Sequence, residues 1–241
     1  VARSESEKAL EYVTAREAET NKPLVKGPCI TVSRESGAGS GLVDEILKSY
    51  LERHQIENTS RWAIFDKNLI GRVLEDHNLP DRLAKLMSHE KISAFTVMIN
   101  ELLGLQPSMR TLLHKTSQTI LQLTEIGNVI VVGRAGNIIT SKMRNSFHVR
   151  LVAPFDNRVK RIQEFYHFNK KEAAEWVKNE DNSRKEYFIK NFHTDIDNPL
   201  NYHIILNTGL LSYEECAHTI GRMVMERFPE TFKEIQIAEP M

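Results

Sequence analysis

The stretch "ITVSRESGAGSGLVDEIL" (30–47) decides the fold. Cys29 to Ser33 form a short apolar run rich in β-branched residues, which predicts a buried strand. Val43, Ile46, Leu47, Tyr50 and Leu51 then recur at helical spacing. Between them lies "SGAGSG" (36–41), in which three glycines alternate with small residues. Glycine tolerates positive φ and lets an anion come close to the backbone. A strand, a glycine turn and a helix start in this order aim peptide N–H groups and the positive helix end at one point, which suits phosphate. A ligand-free tight turn would use the same glycines, but a place on the first strand of a parallel sheet favours the phosphate loop.

The loop lacks one customary part. In the P-loop pattern a lysine reaches the β- and γ-phosphates and the following hydroxyl holds magnesium. Matching "SGAGSGL" to "SGAGKGT" puts Ser40 at the lysine and Leu42 at the hydroxyl. Ser40 offers a hydrogen bond, or a contact to metal-bound water, but no charge. Arg34, just before the turn, is the better candidate for the missing cation.

Outward from the loop, "WAIFD" (62–66), "NVIVVG" (128–133), "FHVRLVA" (147–153) and "YHIILNT" (202–208) predict four more strands. Helical spacing covers 69–104 with a break at "HNLPD", then 109–126, then one charged stretch from Asp156 to about Phe192. "SYEECAHTIGRMVMERF" predicts a closing helix with Ser212 as N-cap and Glu215 completing a capping box. An amphipathic helix is expected within 3–19, before the linker "NKPLVKGP". Five strands separated by helices give an α/β protein with a mostly parallel sheet. Ligands of such sheets bind beyond the carboxyl ends of the strands, where Ser33-Arg34-Glu35, Asp66, Gly133-Arg134 and Asn207-Thr208 fall.

Composition narrows the classes. With 32 basic and 32 acidic residues the chain is neutral and lacks the broad basic footprint of a nucleic-acid binder. No apolar run approaches the ~20 residues that span a bilayer, so no membrane partner is expected. Cys29 and Cys216, the two cysteines of the chain, are read as buried free thiols of a cytoplasmic protein. His114, His148, His167 and His193 fall at no metal spacing, and no protein metal ligand is assigned. "GxSxG" is absent, and "GAGSGL" places its third glycine too early for the dinucleotide fingerprint.

A second constellation is arginine: Arg34, Arg72, Arg134, Arg158, Arg161 and Arg184 stand where the fold would gather them. The guanidinium fork suits phosphate oxygens. With these in view, "ITVSRESGAGSG", "FDKNLI", "VIVVGRAGNII", "VRLVAPFDNRVKRI", "EDNSRKEYFIKNF" and "IILNTGLLSYEE" together resemble the cytidylate kinase-like family, over about Cys29 to Ile220. The order and spacing of the motifs carry the resemblance, and that family's own loop commonly lacks the lysine.

The resemblance implies a P-loop NTPase-like three-layer sandwich with a five-stranded parallel sheet. It also implies a helical monophosphate-binding insert (70–107) and an arginine-bearing lid (156–192). The kinase-like core would span 28–220, after an N-terminal helix and linker (1–27) and before a helix end and tail (221–241). The implied reaction transfers the γ-phosphoryl of ATP to CMP or dCMP with Mg2+. Ser36, Gly37, Ala38, Gly39, Ser40 and Gly41 would cradle the ATP phosphates. "FDKNLIGR" resembles the "DxGxxYR" segment, giving Asp66 and Arg72 to the acceptor, with Gly71 at the tyrosine. "GRAG" resembles "GRD", giving Arg134 to the acceptor phosphate, with Ala135 at the aspartate. "FDNRVKRI" resembles the lid, so Arg158 and Arg161 would neutralise the transferring group. "DNSR" resembles the end of "RDxxDxxR", placing Asp181 near ribose and base and Arg184 on the phosphate, while Val177 and Lys178 replace the first pair. Two further readings stay open: a catalytically silent nucleotide-binding module, whose N-terminal helix offers a partner or homodimer contact, and a kinase for another small acceptor.

Overall fold

In the computed structural model the described residues are 27–56, 61–66 and 109–233. The helix expected within 3–19, the expected 70–107 insert and Arg72 lie outside them. Five strands form one parallel sheet: β1 (Cys29–Arg34), β2 (Ala63–Phe65), β3 (Val129–Val132), β4 (Ser146–Val152) and β5 (Ile204–Asn207). Their order is β2-β3-β1-β4-β5. The six described α-helices are α1 (Ser40–His54), α2 (Met109–Ile126), α3 (Gly136–Ile139), α4 (Phe155–Tyr166), α5 (Lys170–Phe192) and α6 (Tyr213–Arg227). The protein has the α/β, P-loop-like three-layer fold.

The apolar run around β1 makes it the central strand, buried on both faces. Ile30 and Val32 join Leu47 and Leu51 of α1 and Cys216 and Ile220 of α6 in the main core. The intervening residues face the other layer: Thr31 lies under α3, and Cys29 accepts a hydrogen bond from Thr124 of α2 at 3.3 Å. Both cysteines are buried and unpaired, as expected, and burial pushes the Cys29 thiol up to about 12, which keeps it inert. Because α1 leaves β1 on one face and α3 leaves β3 on the other, a crevice opens between the ends of β1 and β3.

The charged helical stretch expected from Asp156 to about Phe192 is divided into two helices. His167 takes φ 58, and Asn169 starts α5 with a full capping box. Its side chain accepts from the Glu172 N–H, and the Glu172 carboxylate accepts from the Asn169 N–H. The resulting α4–α5 hairpin has its own small core of Val159, Ile162, Ala173 and Val177. Ser212 and Glu215 form the box predicted for α6. No described helix is long and apolar enough to cross a membrane.

Candidate functional site

The glycine loop joins β1 to α1, with Gly37 at φ 77 and Gly39 at φ 81. A Cβ on Gly37 would meet the Arg158 carbonyl at 2.7 Å, so both conformation and space demand glycine there. Three successive loop carbonyls are held from outside. Ser36 O accepts from Arg158 Nη1 at 3.1 Å, Gly37 O from Arg161 Nη1 at 3.3 Å, and Ala38 O from Thr208 Oγ1 at 2.8 Å. In a trans peptide the N–H points opposite its C=O, so this clamp turns the Gly37 and Gly39 amides the other way. Those two amides, and the Ser40 and Gly41 amides at the start of α1, have no acceptor among the described residues. The loop is therefore a nest of unsatisfied donors.

Arg158 and Arg161 supply two of the three contacts of this clamp. Arg158 is buried, with Nε donating to Ala153 O at 2.9 Å and Nη1 also to Asp181 Oδ2 at 2.5 Å. Glu35 stands 3.4 Å from Nε. Arg161 grips Thr208 through Oγ1 at 2.9 Å and the carbonyl at 2.6 Å, and stacks over the Tyr213 ring. Sequence reasoning gives both arginines to the transferring phosphoryl group; the structure places them at the glycine loop, where their donors hold its carbonyls.

The other arginines gather in the crevice. Arg34 ends β1 and lies across Gly133, where any Cβ would collide with its guanidinium. Burial, then the nearby Arg184, lower its pKa to about 10, while Asp44, Asp66 and Glu180 pull the other way. Arg134 follows Gly133, and the run Gly133, Arg134, Ala135 has φ values of 80, 54 and 54. Three consecutive left-handed residues, two of them not glycine, mark a strained turn of the kind found at binding sites. Arg134 is exposed and has no hydrogen bond or ion pair among the described residues. Arg184, on α5, donates to Arg34 O at 3.3 Å and to Glu180 at 3.2 Å. All three arginines line a cavity of about 380 Å³ whose wall includes Trp176 and Tyr187.

A smaller cavity of about 210 Å³ shares Arg34 and Arg184 and adds Arg150, Lys185, Asp181 and Asp197. Sequence reasoning missed Arg150, although an arginine inside the apolar run "FHVRLVA" was the signal. It is buried, donates to Ser33 Oγ at 3.1 Å and pairs with Asp197. Asp44 was missed too. It sits on the buried face of α1 with Val43, Leu47 and Leu51, and its Oδ1 has no hydrogen-bond partner. Burial pushes its pKa up to about 8, against the pull of Arg34.

The predicted residues thus separate into two groups. Ser36 to Gly41, Arg158, Arg161 and Asp181 meet at the loop; Arg34, Asp66, Arg134 and Arg184 surround the crevice. No group of three described His, Cys, Asp or Glu side chains converges to ligate a metal.

The sequence profile of the cytidylate kinase-like family matches residues 29–210. The chain belongs to this family. For a cytidylate kinase-like protein the match takes in every described strand and both groups of predicted residues. Among solved structures, an uncharacterized protein from Eubacterium ventriosum superposes with a TM-score of 0.59 at 18% identity, covering 82% of this chain and 98% of that one, and so has the same fold. The TT1252 protein of Thermus thermophilus aligns over 84% of this chain and 98% of its own, at 13% identity and a TM-score of 0.41. A 116-residue stretch is 24% identical to the uronate isomerase of Corynebacterium glutamicum, covering 48% of this chain and 22% of that enzyme. The chain therefore spans less than a quarter of that relative's length.

Proposed function

We propose that this protein is a nucleoside monophosphate kinase that moves the γ-phosphoryl of ATP to CMP or dCMP. One observation carries the reading: a loop of unsatisfied amides lies beside a cavity lined by Arg34, Arg134 and Arg184, in a chain of the cytidylate kinase-like family. Donor phosphates rest on the amides of 36–41. Arg134 and Arg184, with Asp66 and Arg72, take the acceptor. Arg34 lies between the two groups and adds permanent charge where the lysine is missing. Phosphoryl transfer asks the protein for in-line positioning and charge neutralisation rather than covalent chemistry. Magnesium enters with the nucleotide phosphates, whose oxygens it bridges in phosphoryl transfer.

Losing one preorganised donor from such a site costs ~3–4 kcal/mol, or ~10²–10³ in rate. A slow kinase is expected. The test is magnesium-dependent ADP formation with CMP, dCMP, UMP and AMP as acceptors. CMP- or dCMP-dependent turnover supports the proposal, and turnover with another acceptor moves it to that substrate. Nucleotide binding without turnover turns the reading to a binding module, which Ser40 and Leu42 at the lysine and hydroxyl positions favour. The reading places the chain in the cytoplasm, among nucleotides.

A further inference from the structure

Asp181 reaches the glycine loop from α5. Its Oδ1 accepts the Ser36 N–H at 2.7 Å, Arg158 Nη1 lies 2.5 Å from Oδ2, and Arg184 Nη1 stands 3.7 Å from Oδ1. A backbone amide and two guanidiniums thus surround one carboxylate at the mouth of the loop. The Ser36 hydroxyl is buried and has no hydrogen-bond partner. The Asp181 side chain keeps 28% exposure, so a ligand can reach it. A carboxylate oxygen and a phosphoryl oxygen make the same demand, charge-assisted hydrogen bonds from N–H groups and guanidinium forks.

We propose that the Ser36 amide, Arg158 and Arg184 form a phosphoryl-binding position, filled in this structure by the chain's own Asp181 carboxylate, which a polyphosphate ligand displaces. The inference rests on the nucleotide reading above and sharpens it. Asp181 then competes with substrate instead of holding a ribose or base. Displacement also couples the two groups of residues. Arg184 borders both this position and the acceptor cavity, so displacement exchanges its carboxylate neighbour for a phosphoryl group. A ligand that must first displace an internal group binds with its affinity reduced by the fraction of time the position is open.

The test is calorimetric titration of the full chain with inorganic tripolyphosphate and with ATP. The wild type is compared with Asp181→Asn, Asp181→Ala and Glu186→Gln. Glu186 is exposed on the same helix and controls for the loss of one negative charge. Folding should survive these changes, because Asn keeps an acceptor for the Ser36 amide and Glu35 still faces Arg158. Both Asp181 variants should bind tripolyphosphate at least ~10-fold more tightly than wild type, and Glu186→Gln within about twofold. If the wild type binds and the Asp181 variants bind equally or more weakly, the displacement is refuted while the nucleotide reading stands. If no variant binds either ligand, both fall together. Equal tightening by Glu186→Gln would also refute it, as a general charge effect.

Discussion

Arg158 and Arg161 on α4 are engaged before any ligand arrives, whereas Arg134 after β3 holds nothing among the described residues. In sequence they look alike, each beside a family motif. In the fold the first two fix carbonyls so that the loop amides turn the other way, and the third lines the cavity from a strained turn. A guanidinium whose donors are engaged on backbone oxygens sets shape; one whose donors are free is available for recognition. Arg184 stands between these cases, donating to the Arg34 carbonyl and to Glu180 while lining the cavity, and Arg34 lines it within reach of the Asp44 charge.

The largest effect that could break this contrast is on stability. Arg158→Met would leave Asp181 and Glu35 without their buried partner and release the Ser36 and Ala153 carbonyls. Breaking a buried pair costs ~3–5 kcal/mol, and the partial exposure of both acids moves the expectation to about 3 kcal/mol. Urea unfolding measures it. A loss below about 1 kcal/mol would mean that the clamp does not hold the loop. Arg134→Ala should show the opposite pattern, with stability within about 0.5 kcal/mol of wild type. On the proposed function, its acceptor-dependent turnover should fall ~10²-fold, as for one missing donor in a preorganised site. Unchanged kinetics would remove Arg134 from the acceptor site.

Asp44 sharpens the middle case, because its protonation sets how much counter-charge Arg34 meets. Its folded pKa is raised from an ordinary 3.8 to about 8. Between those values the folded chain keeps a proton that the unfolded chain has lost. Asp44's contribution is therefore fully present below about pH 4 and is lost as pH rises toward 8. Asn cannot ionise, so Asp44→Asn should gain on wild type across that window, by on the order of 1 kcal/mol or more between pH 5 and pH 9. Unfolding midpoints at those two pH values decide it. A flat difference would mean that Asp44 stays ionised against Arg34.

Much of the fold was legible because its signals are local. The β-branched runs, the glycines between β1 and α1, and the Ser212–Glu215 capping box each fix a few adjacent residues. The division between α4 and α5 was also written locally, as Asn169 and Glu172 in capping-box spacing, but the unbroken run of charge hid it. The roles of the arginines were not legible. Arg158 meets the Ser36 carbonyl from 122 residues away, and only the packed fold tells an engaged guanidinium from a free one. Arg150 and Asp44 were missed for the same reason: a charge inside an apolar stretch gains a meaning only from what packs against it.

The smallest effect separates binding from folding at a single residue. Arg134 holds φ 54, a left-handed conformation that costs a non-glycine residue more than glycine. Arg134→Gly relieves that cost while giving back some of the gain through the freer unfolded chain. The net expectation is a rise in stability of ~0.5–1 kcal/mol, seen as a higher urea midpoint, together with the same loss of acceptor turnover as Arg134→Ala. A residue kept in a strained turn for its side chain must show both. If Arg134→Gly lowers stability instead, the arginine is packing against the cavity wall, and the contrast with Arg158 loses its unengaged member.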